Sequence, residues 1–230
     1  MLYEWILTNK EFLKVAYALI ICFICAIIVL KTDRMFKLSD YQGLRYFRNA
    51  FFFYGLAFVV RFILGGISNI SGDYIWIYYV GIKFFFEFFI VAAGFFLLYS
   101  LIWKRFEQEK SHHSFLNIRS GILYTITLLI VLLNLSFNTS LFMYFSQIIL
   151  FMVMSFISYI KYGRDGVKYR FLKYYVTIMV LGLIAWILNM ALDYFLNWNK
   201  VVQIGVYILN VLFFFFFLYA ITKITKNKDG

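Results

Sequence analysis

There is no proline in these 230 residues, only two cysteines and two histidines, and charged side chains make up just 14% of the chain. Each scarcity excludes something. Without proline no helix is hinged by a missing amide, which leaves Gly65-Gly66 and Gly94 as the main flexible points of the apolar segments. Cys22 and Cys25 both sit inside one apolar run, so no extracellular disulfide framework is indicated, and a small buried apolar role fits them better than thiol chemistry. The low charge, with 64% hydrophobic residues and a mean hydropathy of +0.83, excludes an ordinary soluble domain. The net charge of +11 is carried in short cationic blocks between apolar runs, a topology signal rather than a nucleic-acid-binding face.

What is present is a series of long apolar runs. A hydrocarbon core is crossed by about 20 apolar residues in a helix, and seven such runs can be read, at 12–30, 50–68, 75–103, 121–137, 141–160, 174–195 and 201–222. Open sheets leave backbone groups unsatisfied in lipid, so the expected fold class is all-α. The chain reads as a polytopic membrane protein, with a single domain of seven transmembrane helices over residues 1–230. Seventeen of its 22 cations fall after the first, third, fifth and seventh runs, from Lys31 to Arg48, Lys104 to Arg119, Lys161 to Lys173 and Lys223 to Lys228. Only Lys10, Lys14 and Lys200 flank the other ends. Short cation-rich loops stay in the cytoplasm, which predicts an outer amino terminus and an inner carboxyl terminus in the cell membrane. The first run reads as a retained span, because its stronger positive block follows it and no small-residue cleavage site precedes Lys31.

Local signals agree with this layout. Thr8 with Glu11, and Ser39 with Gln42, have capping-box spacing, and the second pair predicts that helix 2 starts about two turns before the membrane. Trp76, Tyr78, Tyr79, Tyr194 and Trp198 suit aromatic anchoring at the outer interface, and Trp103, Tyr174 and Tyr175 at the inner one. Gly43-Leu44-Arg45-Tyr46 is similar to Gly166-Val167-Lys168-Tyr169, and Phe95 to Tyr99 is similar to Phe216 to Tyr219. These matches allow a parallel three-plus-one-plus-three repeat.

The outside-in, seven-helix layout resembles opsins, G-protein-coupled receptors and the sugar transporters with paired three-helix units. The likeness is one of topology. Microbial opsins carry retinal on a lysine of helix 7, whereas Val201 to Thr222 contains none and Lys83 is the one lysine deep in any run. The sugar transporters hinge on proline, which is missing here. The aromatic, arginine-bearing stretch from Leu44 to Leu64 resembles uncharacterised multispanning proteins of archaea, a likeness that assigns no functional residue.

A charge near mid-membrane costs about 2.5 to 3.5 kcal/mol on insertion scales, so it needs a partner or a water-filled space. Arg61, Lys83 and Glu87 are such charges, and Lys83 and Glu87 share a helix face. Trp186, Asn189 and Asp193 form a polar stripe in helix 6, and Gln203, Tyr207 and Asn210 form one in helix 7. If the stripes converge, these nine residues line an outward-facing, ligand-binding cavity with Arg61 and Glu87 in ion-pair reach. The alternative is a closed network that locks helices together.

Other patterns carry less. Glu107, Glu109, His112 and His113 form a weak metal pattern that fits a solvated loop better. Asn69-Ile70-Ser71 and Asn138-Thr139-Ser140 are glycosylation triplets in very short outer loops. No catalytic motif, metal site or cofactor is indicated, so an enzyme is the least supported class.

The expected function is a receptor-like sensor or small-ligand-binding membrane protein. A small-solute transporter, or a structural or accessory subunit of a membrane complex, is the alternative. The expected partners are the lipid bilayer, a small-molecule ligand and a protein at the basic cytoplasmic face, with no nucleic acid.

Overall fold

The computed structural model describes residues 10–39, 42–64, 76–103, 118–165, 171–195 and 200–226. Within them the chain is all-helical: α1 (Lys10–Ser39), α2 (Gln42–Phe58), α3 (Trp76–Ile102), α4 (Ile118–Ser136), α5 (Leu141–Asp165), α6 (Phe171–Tyr194) and α7 (Lys200–Lys226). A π-helical turn, Val59–Leu64, continues α2. Thr8, the Gly65-Gly66 and Asn69 segment, the Lys104 to Asn117 stretch with both histidines, the Gly166 to Arg170 part of the repeat and Trp198 lie outside the described residues.

Five helices are long and apolar enough to cross a membrane, over Leu13–Lys37, Tyr79–Ile102, Leu141–Gly163, Tyr174–Tyr194 and Val202–Lys223. α4 supplies a shorter apolar stretch, Ser120–Ser136. α2 falls short for two reasons: its α-helical part ends at Phe58, and its first turns carry Arg45 and Arg48. The first connection also differs from the seven-run reading. Lys31, Arg34 and Lys37 sit on α1 rather than in a loop, because the helix continues to Ser39. α2 begins at Gln42, about two turns ahead of the apolar run that opens at 50, where the sequence reading placed its start.

Burial is inverted relative to a water-soluble protein. Phe23, Leu30 and Phe156 are 68%, 71% and 65% exposed, whereas Asn49 and Gln147 are 0% exposed and Glu87 1%. Apolar surface outside with polar groups inside is stable only where the surroundings are hydrocarbon. The hydroxyls follow the same logic by bonding back into their own helices: Thr32 donates to the Ile28 carbonyl at 2.7 Å, Ser100 to Leu97 at 2.6 Å and Thr127 to Leu123 at 2.8 Å. This is a helical membrane protein.

α2 packs between α1 and α3, α6 packs between α5 and α7, and α4 touches α3 and α5. The two groups meet where α1 contacts α7 and α3 contacts α5. At one end Arg48 of α2 bonds Asp33 of α1, Lys31 donates to Thr222 of α7 at 2.9 Å, and Lys161 of α5 donates to the Leu101 carbonyl of α3 at 2.7 Å. Lys223 of α7 also donates to Tyr174 of α6 there. Cations of α1, α2, α5 and α7 therefore gather on one side of the fold, together with the Leu101 end of α3 and the Tyr174 end of α6.

Small residues set the closest approaches. A Cβ on Gly182 of α6 would lie 2.5 Å from Phe151 of α5 and 2.6 Å from Phe213 of α7, so only glycine lets the three helices meet there. Cys22 donates weakly to the Gly55 carbonyl at 3.6 Å and Cys25 is 2% exposed, the packing expected of small apolar side chains.

Candidate functional site

The opposite half of the fold holds a cavity built by every helix except α4. The space it leaves for the centres of water-sized molecules is about 80 Å³. Its walls come from Tyr17 of α1, from Tyr54 and Phe58 of α2, and from Arg61 and Phe62 of the π-helical turn. Phe86 of α3, Tyr144 of α5, Trp186 and Asn189 of α6, and Tyr207 and Asn210 of α7 complete the side that carries polar groups. A π turn inserts an extra residue into the helix ladder and is frequent at functional sites. Here that turn carries the cavity's cation.

The Arg61 guanidinium carbon sits 4.4 Å from the Phe86 ring centroid and 5.5 Å from that of Phe62. The ion pairs formed between described residues join Asp33 to Lys37 and Arg48, so no carboxylate of a described residue lies within 4 Å of Arg61. The expected Arg61–Glu87 ion pair is therefore not formed. Arg61 rests on aromatic faces, whose quadrupole offsets part of its desolvation but supplies no counter-charge.

Glu87 is spent elsewhere. Its two carboxylate oxygens accept from Asn134 Nδ2 at 2.9 Å and from Ser140 Oγ at 2.8 Å. Asn134 Oδ1 in turn accepts the Phe142 amide at 3.1 Å, which caps the start of α5. α4 ends as a Schellman motif: the Asn138 amide bonds the Leu135 carbonyl at 3.1 Å and the Thr139 amide bonds Asn134 at 2.9 Å. Asn138 has φ 47°, a left-handed conformation that asparagine tolerates better than most residues. With Ser140 bonded to Glu87 and Thr139 sharing a 2.9 Å hydrogen bond with the Tyr194 hydroxyl, the second glycosylation triplet is occupied as a structural turn.

Five of the nine sequence-predicted residues, Arg61, Trp186, Asn189, Tyr207 and Asn210, share the cavity. The other four, Lys83, Glu87, Asp193 and Gln203, do not line it. Gln203 lies one turn before Tyr207 and donates to its hydroxyl at 2.7 Å. The two asparagines bond each other at 3.1 Å, and Asn210 Nδ2 lies 3.1 Å from the Tyr17 hydroxyl. Tyr17 stacks on Tyr207 with centroids 4.4 Å apart and planes at 14°. One polar wall is therefore internally satisfied.

Three tyrosines, Tyr17, Tyr54 and Tyr144, escaped the reading of polar stripes. Tyr54 differs from the others because it is 2% exposed and its hydroxyl has no hydrogen-bond partner among the described residues. The available signal was a hydroxyl-bearing ring inside an apolar run rather than at its edge. No group of three or more metal-ligating side chains occurs among the described residues.

Over 188 residues the chain is 26% identical to an uncharacterized protein of Archaeoglobus fulgidus, covering 77% of this chain and 78% of that protein. The similarity extends the archaeal resemblance of the Leu44 to Leu64 stretch to most of the chain. No protein-family profile and no solved structure matches it.

Proposed function

We propose that the chain is a receptor-like, small-ligand-binding protein of the cell membrane, a single domain with all seven helices crossing the bilayer. α2 with its π turn covers Gln42–Leu64 and α4 covers Ile118–Ser136. At ~1.5 Å per residue these lengths come to roughly 34 and 28 Å, against a hydrocarbon core of about 30 Å. The gathered cationic ends belong in the cytoplasm, so the amino terminus is outside, the carboxyl terminus inside, and the cavity in the outer half. The basic inner face is then the surface offered to a protein partner.

The observation that carries this reading is the six-helix cavity in which Arg61 has no carboxylate within 4 Å among the described residues. Buried polar groups left open toward a shared space are the mark of a site completed by a bound molecule. A purely structural bundle would close them as it closes Glu87 with Asn134 and Ser140.

The test is accessibility. In a Cys22→Ala, Cys25→Ala background, Asn189→Cys in right-side-out vesicles should react with a membrane-impermeant thiosulfonate added outside. Reaction only from the inner face, or from neither face, would overturn the outward-facing cavity. Uptake of solute by proteoliposomes would replace binding with the small-solute transport alternative.

A further inference from the structure

We infer that the cavity is selective for a compact organic monoanion with an aromatic or similarly flat apolar body. This inference rests on the ligand-binding reading above and specifies the ligand's chemistry.

Two features of the walls define that chemistry. The first is charge. Among the described residues Arg61 is the one charged side chain lining the cavity, and it lies over the rings of Phe86 and Phe62 with no described carboxylate within 4 Å. Glu87 stands within electrostatic reach of Arg61, but both of its oxygens are already bonded to the α4–α5 turn, and Lys83 and Asp193 do not line the space. A guanidinium held on aromatic faces keeps its donor fork free for a planar anion, and a carboxylate fits that fork with two parallel hydrogen bonds.

The second feature is the body of the space. Between its polar points the cavity is walled by Phe58, Phe86, Phe213, Phe214 and Trp186. Phe58 and Phe214 meet edge to face at 89°, as do Tyr54 and Phe214 at 82°. Such walls present ring edges and faces together, which favours a flat unsaturated body over a strongly hydrated one.

The Tyr54 hydroxyl is enclosed and has no hydrogen-bond partner among the described residues, so it presents no donor to a ligand in the cavity. The Asn189–Asn210–Tyr17 wall bonds to itself and sets shape rather than charge selectivity.

The experiment uses calorimetric titration of the full chain in detergent with two matched probes, cinnamate and cinnamamide, which lacks the charge. Cinnamate should bind, with the amide at least tenfold weaker. Arg61→Gln should weaken cinnamate at least tenfold and leave the amide unchanged.

Equal affinity for the amide and the acid in the unmodified protein would overturn the inference, whatever the variants do. So would failure of cinnamate to bind while Asn189→Cys is labelled from outside; that result would leave the outward-facing, ligand-binding reading intact and reject only the ligand class. Failure of labelling itself would instead strike the ligand-binding reading.

Discussion

Glu87 and Asn134 are joined at 2.9 Å between α3 and α4, and the same asparagine caps α5 through the Phe142 amide. One carboxylate thereby holds three helices. The double substitution Glu87→Ala with Asn134→Ala should destabilise the protein less than the sum of its single losses, by about 1 kcal/mol, within the range of interhelical bonds in membranes. Denaturation of the purified protein in detergent measures this. Strict additivity would mean that the bond contributes no coupling.

Arg61 with Glu87 provides the contrast. Because no ion pair joins them, the double substitution Arg61→Ala with Glu87→Ala should show a smaller coupling than the Glu87 and Asn134 pair in the same assay. A direct buried pair would show a large coupling, since removing one member typically costs about 3 to 5 kcal/mol. A coupling of that size would contradict the geometry described above.

Two glycines should respond unequally to alanine. At Gly182 the new methyl would press on the rings of Phe151 and Phe213, which are 0% and 4% exposed and have nowhere to turn. At Gly94 it would meet the amide end of Gln147 at 2.7 and 2.8 Å, the far end of a flexible side chain. Gly182→Ala is expected to cost about 1 to 3 kcal/mol, the usual range of overpacking, and Gly94→Ala less. Melting temperatures of the two variants decide it, and equal losses would show that Gln147 is as immobile as the phenylalanines.

The cationic ends make the orientation testable. A reporter at His112→Cys, between α3 and α4, in a protein lacking Cys22 and Cys25, should be silent to an impermeant maleimide on intact cells. It should react once the membrane is permeabilised. Labelling of intact cells would reverse the topology.

No lysine lines the cavity, and none occurs between Val201 and Thr222. Purified protein mixed with retinal should therefore form no Schiff base and no red-shifted absorption band. A band lost on Lys83→Ala would sink this expectation and place that lysine in reach of a ligand.

By itself the sequence determined that the chain is helical and lives in lipid, because hydropathy and the clustering of cations act locally along each run. It also singled out Arg61, Asn189 and Asn210 as polar groups too costly to leave facing hydrocarbon. Which partner each group finds was a matter of tertiary structure. Glu87 and Lys83 share a helix face, yet Glu87 bonds Asn134 and Ser140, residues 47 and 53 positions away, because the α4–α5 turn packs against α3. The π turn at Val59–Leu64 was equally invisible to periodicity, for it depends on how α2 meets five other helices around one cavity. Hydrophobic patterning specifies that a polar atom must be satisfied or kept functional; only the three-dimensional packing specifies by what.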